Sequence, residues 1–275
     1  MNMKKFYFLS FVIQLLIFPG CIEVKTLITV NKDGSGTIEE TMVMSEQVVE
    51  MMKGFSAAFS SDSTQQQDFN IFDENNLKER AGSLGKGVTY VSGEKIEEEN
   101  KKGFRALYAF KNLDDISLKK IPQNDIPLNI TEAAGKDLIF KFKKGSPSEI
   151  IIAFPEMEDS ASLSEEGTDS TAEFDSPDSS GDSTFTEEAL DLMKDLSISL
   201  IMRTEGSIVE SNAAYIEGPE VTLFQFDFNK LLDSKEDLQE LFKLKSRNME
   251  KIKDLLKNIP GIKIETSKEI FIKFN

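Results

Sequence analysis

Val24, Thr26, Ile28 and Val30 alternate with Lys25, Leu27 and Thr29, and a β-rich pattern resumes from Thr37 to Met44. Period-two alternation marks a strand with one buried face. Between the runs, Asn31-Lys-Asp-Gly-Ser-Gly36 supplies a turn, since Asp-Gly accepts positive φ at low cost. Residues 22–44 therefore predict a hairpin. A helix is predicted to follow, with Ser45 as N-cap and Val48, Val49, Met51, Met52 and Phe55 on its apolar side. Ser60 to Asp68 reads as a loop, and a short helix is expected near Glu74 to Ala81. Gly87–Glu97 and Gly103–Phe110 predict a second antiparallel pair, joined across Glu98-Glu-Asn-Lys-Lys102. Phe104, Ala106, Tyr108 and Phe110 share one face of its second strand. Asp137–Lys143 and Glu149–Phe154 predict a third hairpin around Lys144-Gly-Ser-Pro147.

The pattern then breaks. From Pro155 to Glu188 the chain is Ser, Thr, Asp and Glu with scattered apolar residues, and no Lys or Arg occurs between Lys144 and Lys194. Such a segment buries too little apolar surface to offset its ordering entropy, so a disordered acidic insertion is expected. Cation binding by its carboxylates is the functional alternative, but they lack regular spacing. Long surface insertions cost little closure entropy, so this one need not separate two domains. A helical turn is expected at Glu187–Lys194 and a strand at Ser197–Thr204. Gly206 turns the chain, Ile208-Val209-Glu210 continues it, and Thr222–Phe228 alternates strongly. A long helix is predicted from about Lys235 to Lys257, opened by the capping box Ser234-Lys-Glu-Asp237 and stopped by Pro260-Gly261. Ile262–Phe274 predicts a terminal hairpin turning at Ser267-Lys268.

The sum is an α+β fold, antiparallel hairpins covered by a few helices. The expected organisation is a signal segment over 1–20, two parts of one domain over 21–154 and 189–275, and the insertion over 155–188.

The N-terminus changes the picture most. Lys4 and Lys5 precede an apolar run from Phe6 to Pro19, then Gly20-Cys21. A short basic region, about 14 apolar residues and a small residue before the cut form a secretory signal pattern. A permanent span needs about 20 apolar residues, so this run is too short. Ile17-Phe18-Pro19-Gly20-Cys21 resembles the lipobox of bacterial lipoproteins, departing from it at Phe18 and Pro19. That resemblance implies cleavage before Cys21 and lipid attachment to its sulfur. Each buried methylene of an acyl chain adds about 0.8 kcal/mol of membrane affinity, so two or three chains anchor permanently. Cys21 is the only cysteine in the chain.

Composition narrows the chemistry. The chain has no His and no Trp, and an acylated Cys21 leaves no free thiol. Ser-His-Asp and Cys-His nucleophilic sites, His-ligated metals and disulfides are thereby excluded. Carboxylate acid/base chemistry, a Ser-Lys pair and oxygen-ligated metals remain. Gly34-Ser35-Gly36 is too short for a phosphate cradle. Asp33 with Ser35 lacks the further oxygen ligands of a calcium loop. No catalytic residues, metal or cofactor are therefore assigned, and a non-enzymatic protein is expected. The net charge is -16; removing Lys4 and Lys5 takes 32 basic residues to 30 against 48 acidic ones, a net of -18. Such acidity argues against nucleic acid as a partner.

Two stretches are similar to LppM-like bacterial lipoproteins. One is Cys21 followed by Val30-Asn31-Lys32-Asp33-Gly34-Ser35-Gly36-Thr37. The other is Ser197–Phe228, with Gly206, Asn212 and the Phe224-Phe226-Phe228 strand; Glu205 and the phenylalanines depart from the usual Pro and Trp. The resemblance implies an α+β envelope domain with lipid association, and no catalytic residues.

Three functions compete. A binding module anchored at the cell envelope is expected first, taking lipid or an envelope protein; its 21 phenylalanines could line an apolar pocket or simply fill a core. Docking through the predicted helix 235–257 is second. Its Lys243–Lys257 stretch carries six basic residues against two acidic ones. A solvated outer face is the plainer account of that helix. A carboxylate-based hydrolase comes last. If the cell has an outer membrane, Ile22 after the cysteine points there.

Overall fold

The tight turn after the first strand sets the frame. In a computed structural model, β1 (Ile22–Val30) and β2 (Gly36–Ser45) pair antiparallel from Ile22↔Met44 to Val30↔Gly36. Ser35 donates from its amide and hydroxyl to Asp33 Oδ1 at 2.9 and 2.6 Å, closing an Asx-type turn. Gly34 sits at φ +88°, and a Cβ there would lie 2.5 Å from Phe142 Cδ1. Both the backbone angle and the close approach call for glycine.

The structure describes residues 22–50, 53, 71–98, 100–119, 137–154, 195–232 and 258–275. Residues 46–50 are helical, and the Val48 amide donates to Ser45 Oγ at 3.3 Å, the expected cap. Helix α1 (Glu74–Ser83) is capped by Asp73, whose side chain accepts from the amides of Asn75 and Asn76. Strands β3 (Thr89–Glu98) and β4 (Lys101–Phe110) form the second expected pair. A short 3-10 turn at Leu113–Asp115 leads to β5 (Leu118–Lys119). β6 (Asp137–Lys143) and β7 (Ser148–Ala153) form the third. Then come β8 (Leu196–Thr204), β9 (Ile208–Ser211), β10 (Ile216–Glu217), β11 (Glu220–Asp227) and α2 (Phe228–Leu232). β12 (Ile262–Ile264) and β13 (Glu269–Phe274) complete the described chain.

These strands build two sheets. The larger runs β10-β11-β8-β1-β2-β4-β3, with β12 also on β11; the smaller runs β5-β6-β7-β13-β9. Buried side chains of both belong to one hydrophobic cluster, including Ile28, Ile38, Tyr108 and Met202 from the first and Ile150, Ile152 and Ile272 from the second. The fold is thus predominantly β with few helices. Two expectations need correction. The strands are not all antiparallel, because β1 pairs β8 in parallel from Ile22↔Leu196 to Val30↔Thr204. Parallel neighbours need a long crossover, which local alternation cannot reveal. Nor is Ile262–Phe274 a hairpin: β12 pairs β11 in the first sheet while β13 pairs β7 and β9 in the second. Among the described residues helices are few, as expected, and α1 packs against β3 through Leu77 and Ala81.

Strands before and after residues 155–194 share both sheets, through β1–β8 and β7–β13. Segment 155–188, the expected turn at 187–194, the loop at 60–68, Met51, Met52, Phe55 and the predicted helix 235–257 lie outside the described residues.

Candidate functional site at the Ile22 end of the sheet

β1 is a central strand, flanked by β2 on one side and β8 on the other. Register places several elements at its Ile22 end. β2 finishes there and runs into helical residues 46–50. The β3–β4 turn is there, because Ser45 pairs Lys101 and Lys101 pairs Glu98. β8 starts there, and β11 finishes there with Asp227↔Ser197. Residues 22, 50, 195, 232 and 258 therefore all belong to this end of the structure.

The end is clasped by specific contacts. Asp195, at φ +66°, donates its amide to Asn229 Oδ1 at 3.0 Å, and Asn229 Nδ2 donates back to Asp195 Oδ1. This ties α2 to the start of β8. The Asp227 amide donates to the Gly261 carbonyl at 2.8 Å, which returns the chain to β12. Three ion pairs of described residues lie there. Lys102 meets Glu46 at 2.7 Å, Lys53 meets Glu50 at 2.8 Å and Lys230 meets Asp227 at 2.9 Å. The hydrogen bond from Lys102 to Glu46 raises the lysine above its ordinary value, and that from Lys53 lowers Glu50.

Cys21, the sequence-predicted lipid attachment site, lies outside the described residues, as do Lys243, Lys245 and Lys251. What the structure adds is the position of its neighbour: Ile22 is already within β1, 8% exposed and paired on both sides.

Most of the described phenylalanines raised as pocket candidates lie in the core or pack against it, Phe271 being the half-buried exception. Phe110, Phe140, Phe154, Phe224, Phe228 and Phe274 are buried in the cluster shared by the sheets. That is the plain-core account. Two interior carboxylates escaped sequence reasoning. Glu40, 7% exposed, takes a two-point bond from Arg80 of α1 at 2.6 and 2.8 Å. Glu265, 1% exposed, accepts from the amides of Ala214 at 2.8 Å and Ser267 at 3.0 Å. Both arrangements join elements, Glu40 tying β2 to α1 and Glu265 tying the β12–β13 connection to Ala214. Glu40 left a signal, a charged residue in the inward series Ile38, Glu40, Met42, Met44; Glu265, in a connection, left none. Asn212 accepts from the Phe271 amide at 2.7 Å and donates to the Glu269 carbonyl, continuing the edge of β13 beyond β9. Among the described residues no group of three or more His, Cys, Asp or Glu could hold a metal, and no helix is long and apolar enough to cross a membrane.

The fold and this end define a two-sheet, strand-dominated domain whose central strand follows directly on a single cysteine. No family model matches the chain, and no curated protein matches it. Among solved structures, the folded domain of LppM from Mycobacterium tuberculosis, determined by NMR, aligns over 78% of this chain and 87% of that one. The identity is 10% and the TM-score 0.30. The likeness is weak.

Proposed function

We propose that this chain is an envelope lipoprotein, anchored through Cys21, that serves as a non-enzymatic binding module held close to a membrane. The observation that supports it is the absence of a spacer: the lipobox-like Ile17–Cys21 runs straight into central strand β1 at Ile22. A membrane phospholipid would donate its diacylglyceryl group. A carbon–sulfur bond forms at Cys21, the glyceryl carbon–oxygen bond to phosphate breaks, and the thiol proton leaves with the phosphate headgroup. The turn Asn31–Gly36 would then stand one strand length, nine residues or about 30 Å, from the anchor. With six of its described phenylalanines buried in the core, the domain offers its surface to an envelope protein or lipid.

Mass spectrometry of the full chain from bacterial membranes tests this. The expected product begins at Cys21 with a diacylglyceryl thioether, and Cys21→Ser moves the protein into the aqueous phase of a detergent partition. A wild-type chain in the aqueous phase with a free thiol would sink the proposal.

A second reading concerns Lys243–Lys257. The described residues on either side of the stretch containing it, Leu232 and Asn258, both sit at the Ile22 end. An anchor there would hold those six basic residues near anionic headgroups, where each adds about 1 kcal/mol. Replacing Lys243, Lys245 and Lys251 by Gln should weaken binding of a Cys21→Ser chain to anionic vesicles; unchanged binding rejects this reading.

A further inference from the structure

We propose that the outer face of the smaller sheet is a two-fold interface on which a second copy of this chain docks, sheet against sheet. This surface is independent of the anchor at Cys21. β6, β7 and β13 alternate between an inward residue of the core and a more exposed outward one. Their registers sort the outward positions into rows. One row is Lys143, Glu149, Lys273 and Glu210, on β6, β7, β13 and β9 in turn. Lys143 meets Glu149 at 2.9 Å and Lys273 meets Glu210 at 2.7 Å. The hydrogen bond to Glu210, then the charges of Glu210 and Glu149, hold Lys273 above its ordinary value. The row therefore reads plus, minus, plus, minus. The next row holds Lys141, Ile151 and Phe271, and the one beyond holds Ile139, Ala153 and Glu269. Ile139 is 57% exposed, with Ile151, Ala153 and Phe271 half-buried beside it. A contiguous apolar patch with a charged rim marks an interaction surface.

The order of signs selects the partner. A two-fold axis along the strands, midway between β7 and β13, turns plus-minus-plus-minus into minus-plus-minus-plus. Lys143 then faces Glu210 of the second copy, and Glu149 faces its Lys273. An axis across the strands would instead set the charged row on the Ile139 row, charge against apolar, and is rejected on that ground. The chosen rotation lays Ile151 on Phe271 of the second copy, at the centre of the patch. It also brings Lys141 and Glu269 one strand and one row apart across the interface, and neither forms an ion pair among the described residues. Facing sheets lie about 10 Å apart with strands within about 30°, a gap that side chains of this length bridge. Each charge of the first row already has its opposite within its own chain, so closure separates no ion pair. Four strands about 4.8 Å apart and about five residues long present roughly 330 Å² per copy. That area lies at the small end of specific interfaces, which makes the dimer weak and reversible.

The test mixes full chains carrying light and heavy nitrogen in detergent micelles. Sedimentation equilibrium is run at about 100 μM, tenfold above a dissociation constant on the order of 10 μM. A dimer is expected, and a carbodiimide should join Lys141 of one isotope to Glu269 of the other. Lys141→Glu and Glu269→Lys should each weaken the dimer about tenfold, and the two changes together should restore it. Both side chains are exposed, so the urea midpoints of the variants should match the wild type and separate loss of docking from loss of fold. A wild-type monomer at that concentration, or a dimer indifferent to both single reversals, would overturn the inference. Single reversals that weaken the dimer without rescue in the double variant would overturn the two-fold arrangement.

Discussion

At the scale of single residues, the interior polar groups carry the sharpest expectations. Glu40 projects from β2 into the core and is matched by Arg80 across α1, with 9% and 25% of their side chains exposed. Removing one member of a buried pair strands the other, at about 3 kcal/mol, whereas replacing both by apolar residues is often close to neutral. Arg80→Met should therefore lower stability in urea unfolding more than Glu40→Leu with Arg80→Met does. Additive losses would mean that the pair is not the unit that matters. The titration of the surface follows from its hydrogen bonds. Ser35 holds the Asp33 carboxyl below its ordinary 3.8, chiefly through its hydroxyl. A lowered carboxyl stabilises above its unfolded value and loses that contribution as pH falls through the folded one. Lys102 beside Glu46 and Lys273 beside Glu210 are raised above 10.5, so their contribution is complete below that value and lost as pH rises past it. Thermal melting should accordingly fall off at both extremes, and Ser35→Ala should flatten only the acid side.

At the scale of elements, Asn212 acts as a short extension of β9. Its side chain replaces a strand neighbour for the Glu269–Phe271 stretch of β13. Asn212→Leu leaves the Phe271 amide without that acceptor and should cost about 1–2 kcal/mol. Faster amide exchange confined to the β13 edge would confirm it, and unchanged exchange at Phe271 would refute it. The same strands show what the sequence discloses and what it does not. Alternation located β1, β2, β4, β6, β7, β8 and β11 because each has one buried face, and their turns carry Gly or Pro. It could not show that β12 and β13 part into different sheets, since Ser267-Lys268 reads as a turn whether or not its flanks pair with each other. Nor could it reveal that Leu223 is the extra residue of a bulge in β11, which buries both Leu223 and Phe224 and shifts the inward phase. At the Ile22 end, strands β1, β2 and β8 were legible as alternation, whereas the clasp of Asp195 and Asn229 joins residues 34 apart and needs the fold to be seen.

At the scale of the molecule, the two sheets interleave the chain. β1 to β7 come before residue 155 and β8 to β13 after 194, yet neither half forms a complete sheet: β8 sits against β1, and β13 against β7. Such a domain cannot be cut at 155 into two folding units, and the residues between must simply reach from Phe154 to Asp195. Their composition, acidic and poor in apolar side chains, provides little to bury. Replacing residues 157–192 by about 20 Gly and Ser residues roughly halves the connection, which favours the folded state by about 0.6 kcal/mol in closure entropy. Removing acidic residues also reduces self-repulsion in a chain of net charge -16. The shortened protein should unfold in one transition with a midpoint equal to or slightly above that of the full chain. A loss of more than about 3 kcal/mol is the size expected from deleting a buried apolar side chain. Such a loss would show that the segment packs on the sheets and belongs to the domain rather than interrupting it.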